Sequence, residues 1–277
     1  MECMVKDVNV YCEVHGEGTP ILMIHGWGPD HRLMTGCMEP VFETLDTRWK
    51  RIYFDLPGMG NTEGKPWIKG SDQMLEVVLG FIDAIIPGER FVLAGQSYGG
   101  YLARAVLHKR REMIDGLLLI CPAMAPGFQT DNGGSFAVLE RDQGLIDSLS
   151  GEERGFFLAE GICAIQNKGV WERYRTDVLP GLQSIDQAFI DNSIAKNPLC
   201  SFDVDDTPEP YTKPTLMLAG RQDTLVGYRE LVQLLDMYPR ASIMVLDRAA
   251  HSLQMEQDVL FTAAVGEWLS RVSSEIG

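Results

Sequence analysis

Gly95-Gln96-Ser97-Tyr98-Gly99-Gly100 is the segment of this 277-residue chain best suited to chemistry. It is a G-x-S-x-G that follows an apolar run, Phe91-Val92-Leu93-Ala94, and precedes a helical stretch from Tyr101 to Lys109. Small residues on both sides permit a sharp, strained strand-to-helix turn, which lifts a serine hydroxyl above a sheet. The same turn aims the Tyr98 N–H at the space in front of the hydroxyl. A glycine-rich turn with an incidental serine has the same spelling. The strand before it and the helix after it favour a nucleophile.

A nucleophilic serine needs a base, and the base needs an orienting acid. Of the five histidines, His251 stands just past the apolar run Ser242-Ile243-Met244-Val245-Leu246, so it leaves the same sheet edge as Ser97. His108 falls inside the helix after the serine, His15 in an early turn, and His25 before Gly26-Trp27-Gly28, a loop suited to donating N–H groups. Asp223 follows the strand Thr215-Leu216-Met217-Leu218-Ala219, again at the carboxyl edge. One crossover unit separates it from His251, which brings the two loops side by side. Asp247 is the rival acid, but it sits too near His251 along the chain to point back at it.

The elements that position these residues follow from patterning. Ile21–Ile24, Arg51–Phe54, Phe91–Ala94, Leu117–Ile120, Thr215–Ala219 and Ser242–Leu246 are apolar runs of strand length. Runs without alternation mean strands covered on both faces, hence a mostly parallel sheet with helices on either side. Val8–Val14 alternates and suits an antiparallel edge strand. Ser71 reads as the N-cap of a helix, with Asp72 at its positive end and Met74, Val77, Val78, Phe81, Ile82 and Ile85 on one face. After Pro122 the texture changes. Gly127–Gly134 is turn-rich, and from Ser135 to about Pro198 the chain reads as helical without a strand, best at Glu152–Gln166 and Val170–Leu179. The expected organisation is an α/β core of residues 1–125 and 213–277, interrupted at 126–212 by a helical cap. Insertions at that edge lie over the place where such sheets bind ligands. A helical module used for homodimerisation is the alternative placement.

Composition narrows the partners. The chain is 45% hydrophobic and 23% charged, the profile of a globular protein. Its 39 acidic and 24 basic side chains leave a net charge of −15, which repels phosphate backbones and anionic lipid. Neither a nucleic acid nor a membrane is expected as a partner. The six cysteines form no C-x-x-C pair. The start, Met1-Glu2-Cys3-Met4-Val5-Lys6, lacks a basic then apolar leader, so a cytoplasmic location with reduced thiols is expected.

The order Ser97, Asp223, His251, with the elbow and the His25-Gly26-Trp27-Gly28 loop, resembles the α/β-hydrolase fold superfamily. Asp55-Leu56-Pro57-Gly58-Met59-Gly60 is similar to its D-x-P-G-x-G loop, with Thr62 where serine is common. The resemblance covers essentially the whole chain. It implies an oxyanion hole made by the backbone N–H groups of Trp27 and Tyr98. It makes His25 a loop-holding residue and Asp55 a structural turn residue. Haloalkane dehalogenases and epoxide hydrolases use an aspartate nucleophile, so Ser97 separates this chain from both. Trp27-Gly28-Pro29-Asp30 matches the loop of C–C bond hydrolases only in part. The expected activity is that of a serine hydrolase cleaving a small or medium carboxylic ester, without metal or organic cofactor. C–C hydrolysis, acyl transfer and a non-turnover ligand receptor are the alternatives. Met34, Met38, Met59 and Met124 are either pocket lining or ordinary packing.

Overall fold

The computed structural model describes residues 1–45, 48–125 and 136–276. Eight strands form one sheet: β1 (Glu2–Val5), β2 (Val8–His15), β3 (Thr19–Ile24), β4 (Trp49–Phe54), β5 (Phe91–Gln96), β6 (Ile114–Ile120), β9 (Thr215–Gly220) and β10 (Ala241–Leu246). Their spatial order is β1-β2-β4-β3-β5-β6-β9-β10. β1 and β4 pair antiparallel with β2, and every other neighbouring pair is parallel. All residues of β5, β6 and β9 are buried, whereas β2 alternates along its first half. The unbroken apolar runs are therefore the strands covered on both faces. Helices α1 (Arg32–Phe42), α2 (Ser71–Ile85), α3 (Tyr98–Arg110), α9 (Arg229–Gln233), α10 (Leu253–Glu256) and α11 (Asp258–Ile276) connect or follow these strands.

Chain direction across the sheet reverses at β3. The chain steps from β3 outward to β4, then crosses back to lay β5 on the other side of β3. The crevice at the carboxyl ends of β3 and β5 is thus a topological switch point, where open α/β sheets bind ligands. Ile24 pairs with Gly95, so the Trp27 and Ser97 loops leave the sheet together.

Between β6 and β9 lie α4 (Gln143–Ser148), α5 (Gly151–Phe157), α6 (Lys168–Asp177), α7 (Leu179–Ser184) and α8 (Gln187–Asn192). Ile146, Phe157, Trp171, Tyr174 and Leu179 form a second apolar cluster, which takes in Leu33 and Met255 from the sheet-flanking elements. α6 packs against α1 and α10, which seats this helical segment over the carboxyl edge. Arg104, fully buried on α3, pins both ends of the segment. It donates to the Ala123 and Met124 carbonyls before it and pairs with Asp205 after it.

Three expectations need correction. Val8–Val14 is not the edge, because β1 pairs outside it. Ser71 is the first helical residue after Gly70 rather than a cap. Its hydroxyl donates to the Pro198 carbonyl at 2.6 Å and contacts the Tyr98 hydroxyl at 2.7 Å. Of the segment expected to be helical over Glu152–Gln166, only Glu152–Phe157 is helix, within α5. Ile165–Gln166 instead form a strand, β8, parallel to β7 (Glu140–Arg141). The backbone there bonds to distant partners, which outweighs local helix propensity. The turn-rich stretch Gly127–Gly134, and with it the junction at 126, lies outside the described residues.

Candidate active site

Ser97 sits at the turn between β5 and α3 with φ 54° and ψ −120°, a conformation that side-chain-bearing residues rarely adopt. Its N–H donates to the Ile120 carbonyl at 3.0 Å, and its own carbonyl accepts from Tyr101 and Ala123 at 3.1 and 2.9 Å. Strain of this kind persists only where surrounding bonds over-determine it. A Cβ on Gly99 would stand 2.2 Å from the Ile24 carbonyl oxygen and 2.4 Å from that of His25. Only glycine lets α3 start so close to the end of β3. The Ser97 hydroxyl has no hydrogen-bond partner among the described residues and faces a cavity.

His251 lines the same cavity. Its Nδ1 lies 2.8 Å from Asp223 Oδ2. The other carboxylate oxygen, Oδ1, accepts from the Leu225 and Val226 N–H groups at 2.9 and 3.1 Å. Asp223 is buried, so its orientation is set by three bonds rather than by solvent. Loop packing brings the two residues together. A Cβ on Gly220 would meet the Ala250 carbonyl oxygen at 2.2 Å, so the His251 loop lies directly on the end of β9. The remaining nitrogen, His251 Nε2, faces Gln96 Nε2 at 3.4 Å. Asp247 is exposed, and its backbone carbonyl binds Gln222.

Across the switch point, Trp27 lines the cavity and its ring meets that of Tyr98 edge-on at 5.7 Å. Neither residue's backbone N–H has an acceptor among the described residues. His25 holds this loop. Its Nδ1–H donates to the Gly26 carbonyl at 2.7 Å, and its Nε2 accepts the Leu56 N–H at 2.9 Å. Burial lowers its pKa, so the ring stays neutral with both nitrogens engaged. Asp55 accepts from the His31 N–H and ring and from the Asn61 N–H, a turn-building role. Burial alone pushes its carboxyl up, but the His31 hydrogen bond and the nearby imidazoles outweigh that and hold it low. Thr62 Oγ1 accepts the Tyr11 N–H, the service a serine would give.

The cavity measures about 190 Å³. Among the described residues, Pro29, Leu33, Ile162, Tyr174, Val178, Leu182 and Leu225 line it beside the polar residues, and no Asp, Glu, Lys or Arg does. Four of these, Ile162, Tyr174, Val178 and Leu182, come from the helical segment between β6 and β9. Met34, Met38 and Met59 are instead buried in the main core, and Met124 packs against it. A larger groove of about 640 Å³ lies along β1 and α2 and contains none of the site residues.

Three polar residues of the site went unforeseen. Gln96 flanks the serine, Gln254 lines the cavity, and Glu256 joins two loops. One oxygen of Glu256 accepts from Ala164 and Ile165 at 2.6 and 2.9 Å, and the other from Ala250 at 2.7 Å. His251 and Ser252 N–H groups bond to the Gly161 and Ile162 carbonyls, so the histidine loop is zipped to the helical segment. Gln254 and Glu256 follow His251 by three and five residues, but that nearness does not set them apart from Leu253 and Met255 between them. Cys121 follows β6 with φ 40°, its thiol sulfur clustering with the Asp223 and His251 ligand atoms. Burial and Asp223 push that thiol's pKa well up. It stays protonated, and the His251–Asp223 bond already engages the other two, so the trio does not fit a metal ion.

An open, mostly parallel sheet with a strained serine elbow at its switch point defines a hydrolase class. The chain belongs to the alpha/beta hydrolase family, whose model matches residues 21–265. It is similar to a pimeloyl-[acyl-carrier protein] methyl ester esterase of Legionella pneumophila (strain Paris), 23% identical over 95% of this chain and 100% of that one. It is also similar to a 2-hydroxymuconate semialdehyde hydrolase of Pseudomonas putida, 28% identical over 94% of this chain and 90% of the other. Among solved structures, an alpha/beta superfamily hydrolase from Oenococcus oeni PSU-1 superposes with a TM-score of 0.85 at 30% identity, covering 99% of each chain. The protein is a hydrolase. Among the described residues, no helix is long and apolar enough to cross a membrane.

Proposed function

We propose that this protein is a serine hydrolase that cleaves a small or medium, uncharged carboxylic ester through an acyl-enzyme on Ser97. The observation that carries the reading is the meeting of a positive-φ serine with His251, itself bonded to buried Asp223, at one cavity of about 190 Å³. His251 Nε2 takes the Ser97 proton as the hydroxyl oxygen attacks the ester carbonyl. Asp223 holds the ring so that Nδ1 carries its proton inward and Nε2 presents its lone pair. The unpaired N–H groups of Trp27 and Tyr98 receive the oxyanion of the tetrahedral intermediate, each such donor being worth about 100- to 1,000-fold in rate. The alcohol leaves with the proton from His251. Water, deprotonated by the same nitrogen, then releases the acid.

The helical segment within 126–212 acts as a cap that excludes bulk water and shapes the acyl pocket. Support comes from the four cavity residues it contributes. Six free thiols support a reducing, cytoplasmic location. The relative named as a 2-hydroxymuconate semialdehyde hydrolase favours a second reading, hydrolysis of a C–C bond on the same triad. A panel of p-nitrophenyl esters of graded acyl length, run beside amides and ring-cleavage diketones, separates the two. Ester turnover lost in Ser97→Ala, with thermal unfolding nearly unchanged, is the expected result. Turnover confined to the diketones would transfer the assignment to C–C hydrolysis, and ester turnover retained in Ser97→Ala would end it.

A further inference from the structure

Gln254 stands on α10, one turn past His251, and lines the Ser97 cavity. It is only 2% exposed. Neither end of its carboxamide has a partner among the described residues, and Oε1 is shielded from solvent as well. Several polar groups of the same wall are already engaged with one another. The Tyr174 hydroxyl reaches the Phe156 carbonyl, the Ser252 N–H bonds to Ile162, and His251 Nδ1 faces Asp223. A buried amide left unmade is costly, and an apolar side chain of the same shape would remove the cost. Its presence beside the nucleophile makes sense if a ligand completes it.

We infer that Gln254 is a specificity-determining residue that binds a neutral hydroxyl or amide group carried on the acyl chain of the substrate. The inference rests on the serine-hydrolase reading above. A carboxamide accepts at one end and donates at the other, so the matching group is one that does both, whichever way the amide is turned. An ionised substituent is disfavoured, because among the described residues no Asp, Glu, Lys or Arg lines the cavity to offset its desolvation. Water held by Gln254 would satisfy the amide equally well, so a scan without any preferred position overturns the inference.

The test is a positional scan of kcat/KM. p-Nitrophenyl hexanoate is compared with its hydroxyhexanoate isomers, the hydroxyl walked along the chain, and with acylamino-alkanoate esters of matched length. Each rate is normalised to that ester's hydroxide-catalysed hydrolysis. One hydroxyl or amide position should raise kcat/KM by about 10-fold or more over the unsubstituted ester. Gln254→Met and Gln254→Leu should each erase that preference. The two arms distinguish a hydroxyl from an amide as the natural group. Polar substituents that lower kcat/KM at every position would overturn the inference, as would a preference surviving in both variants. If the variants do not fold, the wild-type scan decides alone. Failure of the underlying reading looks different: no ester, substituted or plain, would be turned over.

Discussion

Asp223 commits one carboxylate oxygen to two backbone N–H groups and leaves the other for His251 Nδ1. Asp223→Asn keeps the shape, but its amide can satisfy Leu225 and Val226 only by turning an NH2 toward the imidazole. The ring then favours the wrong tautomer, with a proton on Nε2 and no lone pair there to take the Ser97 proton. We expect kcat at neutral pH to fall by about 10⁴-fold, while Asp247→Asn, exposed and outside the cavity, keeps near-normal kcat. The reverse pattern would reassign the acid. These residues were legible because each follows an apolar strand run, and a parallel sheet delivers all such loops to one edge. Gln254 and Glu256 were not. Their importance lies in partners they lack or bind 90 or so positions away, and no local pattern encodes that.

At the scale of elements, the histidine loop and the helical segment are joined through Glu256, whose carboxylate gathers three N–H groups. Burial is the main cause that pushes this carboxyl up to about 7, with Asp223 adding to the shift. In the unfolded chain a glutamate titrates near about 4.3. The folded state therefore holds the proton more tightly, and this stabilising contribution is complete below the unfolded value. It fades as pH rises through about 7. Unfolding measured from pH 5 to pH 8 should show wild type losing up to roughly 3 kcal/mol that Glu256→Gln does not lose. Parallel pH profiles would contradict the assignment. A second element-scale prediction concerns Arg104, which ties α3 to both ends of the helical segment. Arg104→Met should lower stability by about 3 kcal/mol, read in urea unfolding, because it strips Asp205 and two carbonyls of their partner. An unchanged midpoint would mean the clamp adds nothing. The strands were readable from runs of apolar residues. Residues 161–166 were not, because the Gly161 and Ile162 carbonyls bond to the His251 loop and the Ala164 and Ile165 N–H groups to Glu256.

For the whole molecule, one reversal of chain direction sets the site. It places the Trp27 loop and the serine elbow on either side of a crevice, with Asp223 and His251 arriving from β9 and β10 on the elbow's side. Four residues of the helical segment reach the wall of the cavity. Leu182 contributes to the cavity and packs against Gly28 of the Trp27 loop. Leu182→Ala should move the kcat/KM optimum toward longer or bulkier acyl groups while a short-chain fluorophosphonate still reacts at a similar rate. An unchanged acyl profile would place the segment's role elsewhere. Covalent labelling tests most directly whether Ser97 is an activated nucleophile. Folded wild-type protein is treated with a fluorophosphonate, digested and mapped by mass spectrometry. One adduct on the peptide carrying Ser97, absent in Ser97→Ala, is the predicted result; an adduct on another residue, or none in protein that hydrolyses esters, would contradict it.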